Sequence, residues 1–487
     1  MATSREDRKR LGQVFTPERV AQVLVDWVVK RESDRLLDPS CGDGRFLACH
    51  RPSLGVEVDE NWRAIAQRRA PWARIHESEF FVWASETRER FDAAAGNPPF
   101  IRYQHFTGDV RERALKAAEK LRATFSGLTS SWAPFIVVTA GLLKPGGRMA
   151  FVVPAEIGHA PYAIPALTAL CEHFEAVQVI AVREKLFPDL SEDAWVLFAR
   201  GFGGRTTSLD LSVVDRFPAL ASPPRCTKRV SLKAWSEAGH RLRKFLLPDH
   251  ALAAYQELAT RPGVVRFGDV ASAGIGYVSG ANDFFHLRPS EARCYGFPEK
   301  VLRVTIRKSE QLPDVSVQHG TVRAWLRQDE PVLLLDLKGV TELSPSIRRY
   351  LDSSMGRAVR KGYKCRNRHP WYAVLDVRVP DAFLSYMSGT RPSLVRNDAG
   401  CVCTNSLHAV FRKTEWSIGK LQRAWSHPLV DLSCELEGHP LGGGMLKLEP
   451  REARNIRLPL DAFKLESSDQ VVLDDAIREM RRWRHYG

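Results

Sequence analysis

Asn97-Pro98-Pro99-Phe100 is the stretch of this chain with the clearest chemical content. An apolar run from Phe91 to Ala95 reads as a strand that delivers an amide, two prolines and an aromatic ring to its end. Consecutive prolines have a fixed φ and no N–H, so the carbonyls beside them are rigid acceptors. An Asn side-chain oxygen together with such a carbonyl can accept both hydrogens of a planar exocyclic amine, and Phe100 can stack on the ring that carries it. These groups suit methylation of an amino group on a nucleobase. For the tetrapeptide alone, an ordinary Asn-Pro-Pro turn after a strand is the competing reading.

That chemistry needs a donor pocket, and residues upstream supply one. Arg35 to Asp38 reads as the end of a buried strand, followed by Pro39-Ser40-Cys41-Gly42-Asp43-Gly44 as a tight turn into a helix. Gly42 and Gly44 let backbone pass close to a ligand. The turn lies at the carboxyl end of a strand, the ligand crevice of doubly wound sheets. A second strand over 53–58 carries Glu57, 19 residues after Asp38. That is close to the spacing at which a carboxylate reaches ribose hydroxyls in dinucleotide folds. The full G-x-G-x-x-G is missing, so a pyrophosphate is not the expected ligand. Loop, acidic strand end and NPPF in this order are specific together where each is weak alone.

At this point the residues resemble a known family, the S-adenosylmethionine-dependent DNA methyltransferases, specifically the gamma-class adenine-N6 group of the TaqI type and its type IIG-like relatives. The likeness begins at Gly12-Gln13-Val14-Phe15-Thr16-Pro17. It implies that Thr16 and Pro17 lie near the methionine part of the cofactor and Val14 near the flipped base. It further implies that Asp38, Pro39, Cys41, Gly42 and Gly44 form the main cofactor loop and that Glu57 binds the ribose. In Ser78-Glu79-Phe80-Phe81, Glu79 would bond the cofactor's adenine amine and Phe80 would pack on its ring; the family more often has Asp at the first position. Asn97, Pro98, Pro99 and Phe100 would be catalytic, with Phe in place of the commoner Tyr. Leu186-Phe187-Pro188 resembles a second base-stacking element, making Phe187 the opposite face of an aromatic sandwich; Leu190 stands where the family often has a basic residue. Later segments, 274–285, 364–372 and 442–450, look like loops of the target-recognition region. The likeness spans about 12–460 and is densest before residue 200.

Positioning such a site takes an alternating α/β scaffold. Val20, Val23, Leu24, Trp27 and Val28 fall at helical spacing in 18–31, after Thr16 as N-cap and Pro17 in the first turn. Strands are expected at 35–38, 53–58, 74–76, 91–95, 148–153, 176–182 and 194–199. A helix from Trp132 to Leu143 should stop at Lys144-Pro145-Gly146-Gly147. This alternation predicts a class I, Rossmann-like doubly wound sheet, mainly parallel and covered on both faces. A mixed α+β target-recognition domain and a helical C-terminal region are expected to follow. We place the catalytic domain at 1–240, the DNA-binding domain at 241–415 and its helical C-terminal part at 416–487.

Composition agrees. A chain of 487 residues implies two or three domains. Hydrophobic content of 44% with no apolar run near membrane-spanning length argues against a membrane protein. The charged N-terminus has no apolar secretory core, and nine cysteines without a paired framework suit a reducing cytoplasm. Net charge of +14 fits a polyanion partner.

Residues 101–130 are basic, including Arg102, Arg111, Arg113, Lys116, Lys120 and Arg122. Two readings are open there: a segment gripping DNA phosphates, or a solvated helix near 108–123. Arg357, Arg360, Lys361, Lys364, Arg366 and Arg368, interleaved with Tyr363, Trp371 and Tyr372, read as a DNA-facing surface rather than a merely solvated one. Cys365, His369, Cys401, Cys403 and His408 lack paired C-x-x-C spacing, so no metal site is expected. The expected activity is site-specific methylation of adenine N6 in duplex DNA, by a cytoplasmic monomer of a restriction-modification or related defence system. No nuclease domain precedes residue 12, so a cognate restriction endonuclease is expected on another polypeptide. RNA-adenine and protein-glutamine methyltransferases share the NPP-aromatic motif and remain alternatives, as does a catalytically idle DNA-binding component.

Overall fold

The computed structural model describes residues 15–188, 193–218, 220–413, 415–461 and 463–486. It divides into two compact units, Met1–Leu246 and Leu247–Gly487.

The first unit is built on one nine-stranded sheet. Its strands are β1 (Leu36–Asp38), β2 (Ser53–Glu57), β3 (Arg74–Glu77), β4 (Phe91–Gly96), β5 (Leu143–Pro154), β6 (Phe174–Val182), β7 (Ala194–Phe202), β8 (Ser208–Val214) and β9 (Lys228–Ser231), in the order β3-β2-β1-β4-β5-β7-β6-β8-β9. The first five run parallel to one another, and β7 enters antiparallel between β5 and β6. Strand order reverses beside β1, where chain direction takes the next strand to the other side. The carboxyl ends of β1, β2 and β4 therefore open onto one crevice.

Alternation along β4 and β5 sends side chains to opposite faces. Ala93, Ala95, Ala150 and Val152 share an apolar cluster with helix α1 (Glu18–Val28), which buries Val20, Leu24, Trp27 and Val28 against them. On the other face, the helix Trp132–Ala140 is buried at every position and packs on β5. A helix buried all round has no polar face to show, as its run of Ile, Val, Phe and Ala dictates.

Three local expectations change. The turn after β1 leads not into an α-helix but into one 3-10 turn, Leu47–Cys49. Pro17, not Thr16, holds the N-cap position of α1 with its own carbonyl accepting from Val20 and Ala21, so no hydroxyl caps that helix. The helix also ends at Val28 instead of 31. The strands match their expected places to within a few residues, apart from β5, which starts earlier at Leu143.

The second unit holds a five-stranded and a four-stranded sheet with short helices around them. The C-terminal region is not helices alone. Arg457–Pro459 pairs antiparallel with Val264–Arg266, and Leu446–Lys447 pairs with Met387–Ser388, so residues 416–487 pack as part of the same unit. The helix Ser467–Arg482 buries Leu473, Ala476, Ile477 and Met480. Among the described residues, no helix is long and apolar enough to cross a membrane.

Candidate active site

One pocket joins the turn after β1, the end of β2, the start of the helix Phe80–Glu86 and the loop after β4. The pocket is open to solvent at its mouth. Thr16, Asp38, Pro39, Cys41, Gly42, Glu57, Glu79 and Phe80 line it, and so do Asn97, Pro99 and Ile101. The two halves of the chemistry expected from sequence thus share a single space. Ser40 Oγ donates to the Asn97 carbonyl at 3.4 Å and ties one loop to the other.

Backbone geometry explains the glycines. Gly42 and Gly44 sit at φ +49° and +79°, and a Cβ on Gly44 would stand 2.8 Å from Ala66 Cα. Gly44 therefore shapes the turn without lining the pocket. At the end of β4, a Cβ on Gly96 would lie 2.9 Å from Asp38 Oδ1 and 3.2 Å from the Phe151 ring. Only glycine lets the strand that carries Asn97 run so close to the β1 carboxylate.

The carboxylates are buried but not equivalent. Asp38 is 1% exposed; its Oδ1 accepts the Ser40 amide at 3.2 Å, while Oδ2 has no protein partner. Burial pushes its pKa well above the usual carboxylate range. An orphaned buried carboxylate oxygen at a pocket wall fits a cationic ligand group, which would restore its ionised form. Glu57 Oε2 accepts the Gly42 amide at 3.0 Å and Oε1 the Asp59 amide at 2.8 Å. Its remaining lone pairs can take ligand hydroxyls. Burial raises Glu57 more than these amides lower it. Glu79 caps the helix Phe80–Glu86 by accepting the Val82 amide at 3.1 Å, and burial raises its pKa as well. Phe80 packs against Phe135, ring centroids 4.3 Å apart, and gives the pocket a flat apolar wall.

Several residues without a marked signal in the sequence complete the site. Phe15 and Trp62 meet with ring centroids 4.5 Å apart, both on the lining. Arg45 donates from Nε to Asp43 at 2.8 Å and from Nη1 to the Thr16 carbonyl at 2.6 Å. Asp43 also receives Arg69 at 3.0 Å. A basic residue just after a glycine turn was the available signal for Arg45; nothing local marks Trp62.

Other expected residues fall elsewhere. Val14 lies outside the described residues, as does Leu190. Pro17 caps α1 and is not on the pocket wall. Pro98 is buried and Phe100 half-buried, neither on the lining. Phe187 is 6% exposed inside the apolar cluster of α1, against which Phe100 packs. It does not present an open face across from Phe100, so the expected sandwich is not preformed.

In the second unit the basic cluster divides. Arg357, Arg360, Lys361, Lys364 and Arg366 are exposed along the helices Ser354–Arg360 and Tyr363–Arg366, and Arg366 lies over the Tyr363 ring at 5.5 Å. Arg368 is a correction. It is buried, donates to the Ser279 carbonyl at 2.6 Å and to that of Val278, and fastens the 278–279 loop. Trp371 and Tyr372 pack on an apolar cluster, and Tyr277, Phe284 and Phe285 lie inside it. The aromatics of 274–286 are therefore core rather than base contacts. In the first unit Arg102 is exposed, and the helix Gly108–Ala118 buries only Ala114 and Ala118. That is the solvated helix of the second reading, and it leaves the first open. Among the described residues no three His, Cys, Asp or Glu side chains gather as a metal site.

Comparison with known proteins places the chain. The family model for the type II methyltransferase M.Eco57I C-terminal domain matches 239–485, the Eco57I restriction-modification methylase model matches 55–182, and an N-6 DNA methylase model matches 2–66. The type II methyltransferase M.AccI of Acinetobacter calcoaceticus is 20% identical over 96% of this chain and 89% of its own length. M.XamI of Xanthomonas campestris pv. amaranthicola is 22% identical over 92% and 85%. Among solved structures, the type IIL restriction-modification enzyme MmeI in complex with DNA aligns with a TM-score of 0.52 at 13% identity, covering 97% of this chain and 71% of that one. This last likeness bears on fold alone.

Proposed function

The chain belongs to the type II methyltransferase family whose C-terminal domain matches its residues 239–485, and we propose that it methylates adenine N6 at a specific site in duplex DNA. One observation carries the reading: Asn97 and Pro99 open into the same pocket as Asp38, Glu57 and Phe80.

S-adenosylmethionine fits the first half of that pocket. The unpartnered Asp38 oxygen suits its cationic end, Glu57 the ribose hydroxyls, and the Phe80 wall the adenine, with Glu79 beside it. When bound, the cofactor supplies a methyl group on a sulfonium, an electrophile that needs no further activation. The protein's task is then to prepare the amine.

Adenine N6 is a poor nucleophile because its lone pair is delocalised into the ring. The Asn97 side-chain oxygen and the Pro98 carbonyl would accept its two hydrogens, holding the amine in place and favouring the pyramidal form in which the lone pair is available. The amine so held would take the methyl group that the sulfonium releases, and its surplus proton would leave to solvent. A paired adenine cannot reach such a pocket, so the base is flipped out at a cost of a few kcal/mol. Stacking on Phe100 returns about 1–3 kcal/mol. Phe187 could serve as a second face only after leaving its apolar cluster.

The exposed cations of 357–366, and those of 101–122, are the groups we assign to DNA phosphates. The proposal extends to a cytoplasmic monomer that protects DNA from a separate restriction endonuclease. Expression in a bacterium lacking adenine methylation, followed by methylation-aware sequencing, tests it. Modified adenines confined to one short sequence are expected. Unmodified DNA, with methyl groups found in RNA or protein, would overturn the reading.

A further inference from the structure

Ser131 stands at the N-cap of the helix Trp132–Ala140, where a serine ordinarily turns its hydroxyl onto the helix's free amides. It does not do so here: no side-chain cap bond is made. Its Oγ instead donates to the Pro99 carbonyl and accepts the Ile101 amide at 3.0 Å. Its own amide donates to the Ile101 carbonyl at 3.0 Å. Three hydrogen bonds from one residue, 1% exposed, therefore bracket Phe100 on both sides.

The neighbours of Ser131 anchor it in turn. Ser130 Oγ donates to the Tyr162 hydroxyl at 3.1 Å, and Trp132 Nε1 donates to Glu156 at 2.8 Å. Glu156 follows the end of β5, the strand beside β4. The segment 130–132 is thus tied to the stretch 156–162 that follows β5 and grips the Asn97–Phe100 loop as well.

We propose that Ser131 is a positioning residue for methyl transfer. By holding the Pro99 carbonyl and the Ile101 amide it fixes the peptide planes on either side of Phe100. That sets the Phe100 ring directly and, through the ring-fixed φ of Pro99, restrains the Pro98 carbonyl and the Asn97 amide that would meet the amine. Proline rigidity narrows the loop's conformations, but only an external bond selects among those that remain. This inference rests on the reading of Asn97–Phe100 as the methyl-transfer site.

The test compares the wild-type protein with Ser131→Ala and with Ser131→Cys, which keeps the side chain's size and a weaker donor. Three quantities are measured for each: binding of S-adenosylmethionine, binding of duplex DNA carrying the mapped site, and the single-turnover rate at saturating concentrations of both. A misplaced reacting group costs roughly 10- to 100-fold in rate. Ser131→Ala is expected to lose that much with both affinities unchanged, and Ser131→Cys to fall between. A Ser131→Ala rate equal to wild type, or one lowered only as far as the affinities are, overturns the inference. Should Ser131→Ala not fold, a wild-type rate in Ser131→Cys overturns it equally. A wild-type protein that methylates no DNA would instead strike at the underlying reading.

Discussion

Arg45 reaches back across 29 residues to hold the carbonyl of Thr16 at 2.6 Å, its guanidinium lying 5.5 Å from the centre of the Phe15 ring. The same side chain is paired with Asp43 in the cofactor turn. One planar fork thus couples Phe15 and Thr16 to the turn that follows β1, and both line the pocket.

Removing that fork should loosen the pocket wall without unfolding the sheet. A hydrogen bond to a charged group contributes about 1.5–3 kcal/mol, so Arg45→Ala should weaken S-adenosylmethionine binding by roughly 10-fold or more. Lysine keeps the charge and loses the fork, and should not restore affinity. Calorimetric titration with the cofactor checks this, and wild-type affinity in Arg45→Ala would refute it.

Arg366 and Arg368 are two residues apart and should behave oppositely. Replacing exposed Arg360, Lys364 or Arg366 by Ala should leave stability alone and make DNA binding less sensitive to salt. The log–log slope should fall by about 1 for each phosphate that is no longer neutralised. Arg368→Ala removes the donor from two buried carbonyls and should destabilise the second unit by about 2–4 kcal/mol. Denaturant unfolding beside DNA binding across a salt series separates the two. A stable Arg368→Ala protein defective in DNA binding would restore this residue to the DNA surface.

His286 should make stability depend on pH. It is 3% exposed, its Nε2 lies 2.8 Å from the Tyr277 hydroxyl, and burial, helped by the Arg307 charge, holds its pKa down at about 4. The unfolded chain takes up this proton near pH 6.5, the folded one only near 4. Stability from the neutral ring is therefore complete above pH 6.5 and lost as pH falls toward 4. Between pH 7 and pH 5 the wild type should lose about 2 kcal/mol more than His286→Gln. Parallel stability curves for the two proteins would contradict this.

Much of the catalytic unit was legible because its first four strands are short and separated by helical turns. The Phe91–Ala95 run, the glycine turn and Glu57 each carry a local signature, and topology brought them to one crevice. What stayed hidden depends on distant partners. Trp62 and Ser131 look like any helix-start residues until the fold sets them beside Phe15 and Pro99. Arg368 was read with its exposed neighbours because charge density in sequence cannot distinguish a solvated arginine from one that holds two buried carbonyls. Phe187 shows the converse, since a ring's sequence context does not say whether it waits in a pocket or packs in a core.

The central claim is that Asn97 prepares an adenine amine in a pocket shared with the methyl donor. The most direct test is transfer of a labelled methyl group from S-adenosylmethionine to unmethylated duplex DNA, by wild type and by Asn97→Ala, with nucleoside analysis of the product. The account predicts label in N6-methyladenine from the wild type. It predicts a loss of roughly 100- to 1,000-fold in Asn97→Ala, with cofactor and DNA binding retained. Label in another nucleoside, or binding and turnover lost together in Asn97→Ala, would contradict it.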